Sequence, residues 1–352
     1  MKNKIIIANR LNWIDWAKSI AIFFVVFGHI PEQRGSFLIN YIVQFHMPLF
    51  FFISGYLTKK EGLTLSMLNK YWHTLLIPYL FYNIIFYPYW AVRHTIDFPN
   101  AEWFDYIKPI IGTFIFQLKT PFSDLLNGVT WFIAALLFMK ILLAISYHYK
   151  KNKIWLIFII VLDAFFYIIN EQYRFTTELV LVGLMKCFPF FFIGHYCKQK
   201  NIVNEKPQDI DIWICLIGLA ISFFSYIFIR KTTFYILYGF LFWTLSLSAI
   251  FSILSLCKLL NRFRSTIIDN ISIGTIVIMG LHWILIGCIN YALSKILHIN
   301  GGITYSWYVS ICLALLYIAI LYPIIILFKN KYPSLLGKRI LYNKDVQSKI
   351  NI

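Results

Sequence analysis

Long uninterrupted apolar runs recur along the whole chain. Most are about 20 residues long, the length that crosses the hydrocarbon core of a bilayer as an α-helix. Short polar segments that hold most of the charges separate these runs. The period-two alternation that is typical of an outer-membrane barrel does not occur in the sequence. The pattern therefore predicts an all-α polytopic membrane protein.

About ten spans can be placed on these runs, and we predict that they form a single bundle and one integral-membrane domain over residues 1–352. The first run contains Asp15 and Lys18 and lacks a small-residue cleavage site, so we expect a retained first helix rather than a signal peptide. The predicted spans are 12–31, 40–57, 70–92, 129–147, 153–170, 179–197, 210–229, 233–257, 270–293 and 306–328.

The positions of Lys and Arg predict the orientation. The net charge of +17 would suggest a nucleic-acid partner in a soluble protein. Of the 32 basic residues, however, 21 fall on the tails and loops of one side and 8 on the other, with 3 inside spans. The positive-inside rule then places both termini in the cytoplasm, including the short tail 329–352, and it explains the charge without nucleic acid.

The longest segment between spans, 93–128, is predicted to be extracytoplasmic. It combines aromatic and acidic residues, and an amphipathic helix lying on the membrane is expected over 101–118. We predict reduced thiols for all six cysteines, because they lie in or beside apolar runs without a CxxC pair. The cysteines are Cys187, Cys197, Cys215, Cys257, Cys288 and Cys312.

Ionisable residues inside spans are the first candidates for a site, because a charge at the bilayer centre costs about 2.5–3.5 kcal/mol on insertion scales. In the first span, Lys18 and His29 are 11 residues apart and share one helix face, about 16 Å apart along the axis. Asp15 lies on the same face and can pair with Lys18. A snorkelling ion pair with a rim histidine is the alternative interpretation.

The stretch "FHMPLFFFISGYL", residues 45–57, places a second histidine at the outer end of the second span. Pro48 either lies in the first turn, where its missing N–H costs little, or lies inside the helix and leaves the Gln44 carbonyl without a partner. A histidine at the depth of His29 suits an acid/base site. A lone rim histidine at position 46 is the structural alternative.

A polar face is also predicted on the ninth span, where Ser272, Thr275, Met279 and His282 follow three-to-four spacing. Such a face belongs either to a site or to hydrogen bonding between helices.

Three further charged residues lie inside spans. Lys140 and Lys186 can snorkel to headgroups, and Asp163 can pair with either lysine. The signatures of phosphate loops, zinc hydrolases and serine hydrolases are missing from the sequence, and no metal site is predicted.

Several blocks resemble the membrane acyltransferase-3 family, especially its fucose-4-O-acetylase-like branch. The first is Asp15 and Lys18 followed by His29, where many relatives have Arg in place of the lysine. The others follow in order over essentially the whole chain. They are His46-Met47-Pro48 through Ser54-Gly55-Tyr56, Lys70 before "LIPYL", Thr130-Trp131-Phe132, and Met279 with His282.

The resemblance implies an O-acyltransferase of the bacterial cytoplasmic (inner) membrane. The family moves an acyl group, usually acetyl from acetyl-CoA, to a hydroxyl of a surface glycan or lipid-linked saccharide. His29 and His46 are then the expected catalytic residues, and Thr275, His282 and Trp131 a supporting polar face. The acyl-CoA is a donor substrate rather than a bound cofactor, and its expected contacts are Lys18, Asp15, Lys59, Lys60 and Lys70.

One rival function remains open at this stage. An exporter or flippase of glycan intermediates would use the same histidines as a proton relay. The intramembrane Lys140, Lys186 and Asp163 favour that alternative. The oligomeric state, the acceptor sugar and the acylated position are not indicated by the sequence.

Overall fold

A computed structural model describes residues 11–32, 36–148, 152–174, 176, 178–203, 207–299 and 302–337. The described chain is all-helical, as predicted. Its α-helices are α1 (Asn12–His29), α2 (Phe37–Tyr56), α3 (Leu65–Tyr71), α4 (Ile77–Asp97), α5 (Trp103–Phe114), α6 (Trp131–His148), α7 (Asn152–Tyr173), α8 (Leu179–Gln199), α9 (Ile210–Ile229), α10 (Tyr235–Leu259), α11 (Thr266–Ile273), α12 (Thr275–Ile296) and α13 (Trp307–Lys331).

Short helical pieces link several of these elements. A π-helical turn, Trp72–Leu76, joins α3 to α4, so that the backbone stays helical from Leu65 to Asp97. Such turns occur mostly as single insertions inside α-helices. Single 3₁₀ turns precede α6, follow α10 and follow α13; they are Gly128–Thr130, Leu260–Arg262 and Pro333–Leu336.

Within the described residues, eight helical segments are long and apolar enough to cross a membrane. They correspond to α2, α3 with α4, α6, α8, α9, α10, α12 and α13. The predicted first span, α1, falls outside this set, because its 18 residues include Asn12, Asp15, Lys18 and His29. The residues that make α1 a site candidate are therefore also the ones that lower its hydropathy.

Helix α1 lies at the centre of the bundle. It packs against α2, α10, α11, α12 and α13. One of its faces carries small and branched residues, Ala17, Ala21 and Val25, which are fully buried. Small side chains let neighbouring backbones approach closely where no hydrophobic effect drives helices together in lipid. The polar residues of α1 consequently lie inside the protein.

Helices α2 and α8 cross at two glycines. A Cβ atom on Gly55 would lie 1.8 Å from the Phe191 carbonyl oxygen, and one on Gly194 would lie 2.0 Å from that of Phe52. Neither position has room for a side chain. This reciprocal contact holds α2, and with it His46, against α8.

Pro48 lies inside α2, which begins at Phe37, and not in its first turn. The carbonyl of Gln44 loses its intrahelical donor as a result. Ser246 on α10 donates its hydroxyl to this carbonyl at 3.4 Å. The interior alternative is therefore the correct one, and a neighbouring helix supplies the partner.

The predicted ninth span is two helices rather than one. It breaks at Gly274, between α11 and α12, where a Cβ atom would lie 2.5 Å from the side chain of Ile325 on α13. The prediction of one continuous polar face is therefore wrong, since Ser272 lies before the break and Thr275, Met279 and His282 lie after it. The break releases backbone carbonyls that a continuous helix would bond.

The long segment between α4 and α6 contains the expected amphipathic helix, observed as α5. Its start is fixed by a capping box between Glu102 and Asp105. After α5, Gln117 is buried with a φ of 64° and bonds Asn83 on α4 at 2.7 Å. The segment is thus anchored into the bundle.

Parts of the orientation argument fall outside the described residues. These parts are the N-terminal tail with Lys2, Lys4 and Arg10, the loop at 149–151, and the tail beyond residue 337. One of the 21 basic residues assigned to the cytoplasmic side, Lys258, is in fact buried within α10 and lies 2.5 Å from Asp211 on α9. The two residues form a structural ion pair between neighbouring helices, so Lys258 is not a loop charge.

Candidate active site

Two histidines from different helices meet beside the C-terminal end of α1. The Nε2 atom of His282, on α12, lies 3.3 Å from Nδ1 of His29, at the end of α1. The ring centroids are 5.0 Å apart. His282 is completely buried, whereas His29 is partly accessible. His29 can therefore meet a substrate, and His282 supports it from behind.

The hydrogen bonds around this pair assign its tautomers. His282 Nδ1 lies 2.8 Å from the Ile278 carbonyl, and His29 Nδ1 lies 2.8 Å from the Val25 carbonyl. A carbonyl only accepts, so each Nδ1 carries a proton when the rings are neutral. His282 Nε2 then accepts from His29, and His29 Nε2 keeps a lone pair. No side chain in the described residues is hydrogen-bonded to that Nε2 atom, which leaves it available as a base.

His46 on α2 completes a group of three histidines. It is buried, and its Nδ1 lies 3.2–3.3 Å from the carbonyls of Ile42 and Val43. It interacts electrostatically with His29 and with Lys186 on α8. The direct partner of His29 is thus His282, which the sequence placed in a supporting role, whereas His46 acts on it through space.

Lys18 and Asp15 converge on one residue of α11, on the inner half of α1. The Lys18 ammonium donates to the Ser272 carbonyl at 2.5 Å, and the buried Asp15 carboxylate accepts from the Ser272 hydroxyl at 2.5 Å. Thr275 donates to the same carbonyl at 3.4 Å. These bonds satisfy a carbonyl at the α11–α12 break and tie α1 to it.

The predicted donor contacts in the loop after α2 differ in their surroundings. Lys59 and Lys60 are exposed, whereas Lys70 is paired with Glu61 at 2.9 Å. A further cation lies close by, since Lys140 of α6 donates to Thr58 at 3.1 Å and lies over the ring of Tyr71. The sequence did not place Lys140 in this group.

Trp131 has packing contacts rather than contacts with the histidines. Its indole fills the space above Gly183 on α8, where a Cβ atom would lie 2.0 Å from the ring, and it contacts Phe51 on α2. These contacts connect the start of α6 to α8. The structure brings His29 into contact with His282 and places His46 within electrostatic range of His29. It separately joins Asp15, Lys18 and Thr275 around Ser272, and it does not bring Trp131 to either group.

A cavity of about 1040 Å³ lies one residue beyond the histidine pair: neither histidine lines it, but Trp283, the neighbour of His282 in the chain, does. Its walls come from α4, α12 and the segment before α6, and they are rich in aromatic rings. Trp283 lines this cavity and lies 6.2 Å from His29, ring centroid to ring centroid. Sequence reasoning missed the cavity. The only signal was the spacing on α12, where Trp283, Gly287, Asn290 and Ser294 recur every three to four residues.

The outer ends of α1 and α12 are held together next to this cavity. The Tyr305 N–H donates to the Pro31 carbonyl at 2.9 Å, and the Tyr305 hydroxyl donates to Asn290 at 3.4 Å. Glu32 pairs with Tyr305 in an isolated backbone bridge. Burial raises the pKa of the Glu32 carboxyl, and a hydrogen bond from Ser36 opposes that rise. The link fixes the end of α1 that carries His29.

Two intramembrane charges remain outside both groups. Lys186 lies over the ring of Phe242, 4.8 Å from its centroid. Asp163 has a buried Oδ2 atom without a hydrogen-bond partner in the described residues. Neither side chain contacts the other in those residues, so the pairing considered from the sequence is not observed.

Comparison with known proteins confirms the family resemblance. A family model described as an acyltransferase domain matches residues 11–333. Nodulation protein NolL of Mesorhizobium japonicum is 28% identical over 233 residues, which cover 61% of this chain and 55% of NolL. The chain therefore aligns with little more than half the length of that relative. No solved structure matches. Because the family match includes every helix described above, the chain belongs to the membrane acyltransferase-3 family.

Proposed function

We propose that this multi-pass membrane acyltransferase moves an acyl group, acetyl in the simplest case, from cytosolic acyl-CoA to a hydroxyl of a surface glycan or lipid-linked saccharide. The observation that carries the proposal is the His29–His282 pair at the edge of an aromatic cavity. A base beside a space large enough for a saccharide is what hydroxyl acylation needs.

His29 is the proposed general base. Its Nε2 atom takes the proton from the acceptor hydroxyl while the hydroxyl oxygen attacks the thioester carbonyl. Collapse of the tetrahedral intermediate breaks the C–S bond, and the proton passes from His29 to the leaving thiolate. The Val25 carbonyl and His282 Nε2 both accept from Nδ1–H, so they stabilise the imidazolium that forms. A transient acyl group on His29 Nε2 is the alternative route for the same transfer.

His46 has a supporting role in this scheme. Its ring is buried and lies within electrostatic range of His29. The two rings cannot both be protonated at low cost in a site with little water. Of the two rings, the accessible His29 is the one proposed to accept the proton during transfer.

Donor binding is assigned to the inner half of the same helix. Lys18 donates to the Ser272 carbonyl, which fixes the position of its ammonium beside the α11–α12 break. We propose that Lys18, positioned with Asp15 by Ser272, contacts the acyl-CoA, and that its pantetheine arm covers the roughly 16 Å to His29. The exposed Lys59 and Lys60 are the candidates for the CoA phosphates, with Lys70 shared between Glu61 and the donor.

Two comparisons support the chemistry. The family is one of acyltransferases, and NolL, a nodulation protein, is a relative of 28% identity. The rival, a glycan exporter with a histidine proton relay, draws on Asp163, whose buried oxygen has no partner in the described residues. It would use the His29–His282 pair as a proton relay, but it does not account for the match to an acyltransferase family.

The test is transfer by the purified protein. Radiolabelled acetyl-CoA is incubated with the protein in lipid nanodiscs and with the glycan fraction of the cells that produce it. Label is expected in the glycan with the wild type and in none of the glycan with His29→Ala. Unlabelled glycan with the wild type, together with glycan movement across proteoliposomes, would favour the exporter instead.

A further inference from the structure

The large cavity beside His29 contains two cations that face the same ring. Arg93 on α4 lies 6.0 Å from the centroid of Tyr291, and Lys295 on α12 lies 5.6 Å from it. Both side chains line the cavity, and no acidic side chain lines it among the described residues. Two positive charges converging from different helices repel each other unless an anion lies between them.

Two basic residues in one cavity are unusual on the side of the protein assigned as extracytoplasmic, which carries few Lys and Arg. Only 8 of the 32 basic residues fall on the side assigned as extracytoplasmic. Others there are paired close to their own helix or loop, as Lys108 is with Asp105 at 2.7 Å and Lys119 with Asp124 at 3.4 Å. In the described residues, Lys295 has no carboxylate within ion-pair distance, and its exposed side chain lies in the last turn of α12 at the edge of the cavity.

Arg93 has one carboxylate neighbour, Asp97, at 3.3 Å. Asp97 lies one helical turn further out on α4, and about half of its side chain is exposed. The guanidinium has five N–H donors, so this single contact leaves most of its donors for the cavity. An exposed i,i+4 pair of this kind is weak and is easily displaced by a ligand.

The rest of the cavity suits the neutral part of a sugar. The rings of Trp283, Phe86, Tyr89 and Trp90 offer flat apolar faces. The Oδ1 atom of Asn290 accepts from Ile303 and Tyr305, so its amide N–H groups are left as donors for a hydroxyl. A Cβ atom on Gly287 would lie 1.9 Å from the Tyr89 hydroxyl, so the glycine leaves room for that ring.

We propose that this cavity binds an anionic saccharide, with the negative group held between Arg93 and Lys295 and a sugar ring against Trp283. The proposal rests on the acyl transfer proposed above and narrows its acceptor to saccharides that carry a carboxylate or a phosphate. A carboxylate would belong to an acidic sugar, and a phosphate to a sugar phosphate or a lipid carrier. Trp283 lines the cavity, and its ring centroid lies 6.2 Å from that of His29, so a sugar held against Trp283 would place its reacting hydroxyl toward the base.

The experiment compares three soluble probes on the purified full chain in nanodiscs by ligand-observed NMR titration. The probes are methyl glucuronide, glucose 1-phosphate and the neutral methyl glucoside. At least one anionic probe is expected to bind about tenfold more tightly than methyl glucoside, and the identity of that probe separates the carboxylate from the phosphate. Equal affinities for all three, or no measurable binding of either anionic probe, would overturn the proposal without any variant.

A double variant, Arg93→Gln with Lys295→Gln, should lose the preference for the anion while keeping its affinity for methyl glucoside. Lys108→Gln removes an outer cation that does not line the cavity, and it should leave all three affinities unchanged. Retention of the anion preference by the double variant would also overturn the proposal.

The fate of acyl transfer is read separately, in the same preparation. An anion preference in a protein that fails to transfer label would remove the proposed function and leave the binding site. Efficient transfer to a neutral glycan, unaffected by the double variant, would remove the anionic acceptor and leave the acyltransferase.

Discussion

His282 Nε2 lies 3.3 Å from His29 Nδ1, joining two residues 253 positions apart. Both rings also donate from Nδ1 to a carbonyl four residues earlier in their own helices. The helix backbone thus fixes the orientation of each ring, and the contact between α1 and α12 fixes their distance. The result is one accessible imidazole nitrogen supported by a buried one.

This geometry predicts different losses for the two histidines. His29→Ala removes the proposed base and should lower the rate of transfer by about 10²–10⁴-fold with donor binding nearly intact, since general-base catalysis contributes that much. His282→Phe keeps the volume but removes the acceptor of the His29 proton, and it should cost less. The measurement is single-turnover transfer on monodisperse protein, with calorimetry for the donor.

The pH profile separates positioning from packing. If His282 acts through His29, the acid limb of the pH–rate profile should move in His282→Phe. A variant that merely loosens the core would lower the rate by the same factor at every pH. Near wild-type transfer by His29→Ala would show that this histidine is not the base.

Lys18→Met is predicted to weaken donor binding. The change keeps the apolar stem and removes one charge-assisted contact, which is worth about 1.5–3 kcal/mol. Lys18→Arg keeps the charge, and it should be milder if charge alone matters. Donor affinity measured by calorimetry checks both variants.

Ser272→Ala is the matched control for Lys18→Met. It removes the hydroxyl that donates to Asp15 but keeps the backbone carbonyl that accepts from Lys18. It should therefore cost stability without a comparable loss of donor affinity. Unchanged donor affinity in folded Lys18→Met would contradict the role of Lys18, and the double change Asp15→Asn with Lys18→Met tests whether an uncompensated carboxylate causes the loss.

Much of the helical architecture could be predicted because membrane-spanning helices can be recognised in a sequence by their length and hydropathy. The break at Gly274 could not. Gly274 stands in an apolar run, and nothing local distinguishes it from Gly280, which lies within continuous α12. A close side chain from another helix does not distinguish them either, since Ile325 lies against Gly274 and Tyr82 against Gly280. What differs at the break is that Lys18 of α1 binds the Ser272 carbonyl, a contact between distant segments of the chain.

Only part of the candidate site could likewise be predicted from the sequence. The stripe of Asp15, Lys18 and His29 follows from helical periodicity and from the expense of charge in a bilayer. The pairing of His29 with His282, and the cavity beside them, depend on how α1 and α12 pack. Packing between distant segments leaves no periodic trace in a single sequence, so His46 rather than His282 was expected as the closest helper.

The α2–α8 crossing should be sensitive to the smallest side chain. Gly55→Ala places a methyl group 1.8 Å from the Phe191 carbonyl oxygen, so the helices must separate. Overpacking of this kind typically costs about 1–3 kcal/mol, occasionally more. Thermal unfolding followed by tryptophan fluorescence is the measurement.

Gly28→Ala offers a comparison on α1, because its Cβ atom would meet only Val43 at an ordinary 3.5 Å. It should unfold at nearly the wild-type temperature. Equal stability of Gly55→Ala and Gly28→Ala would mean that the two helices do not cross as closely as described.

The cysteines are expected to be dispensable. All six are free thiols; Cys288 and Cys312 are exposed, and the other four are buried. Replacing all six with Ala should keep transfer within a few-fold, apart from small packing losses at the buried positions. Abolished transfer in folded protein would reveal a covalent cysteine intermediate.

The topology prediction uses that cysteine-free protein as its background. Phe122 is exposed on the segment before α6, and Lys59 is exposed on the loop between α2 and α3. With the positive-inside orientation, Phe122→Cys should react with an impermeant maleimide added to intact cells, and Lys59→Cys should react only after permeabilisation. Labelling of Lys59→Cys from outside would show that the bundle has the opposite orientation. It would also place the aromatic cavity on the cytoplasmic side, away from any surface glycan, so this one measurement bears on the acceptor as well as on the orientation.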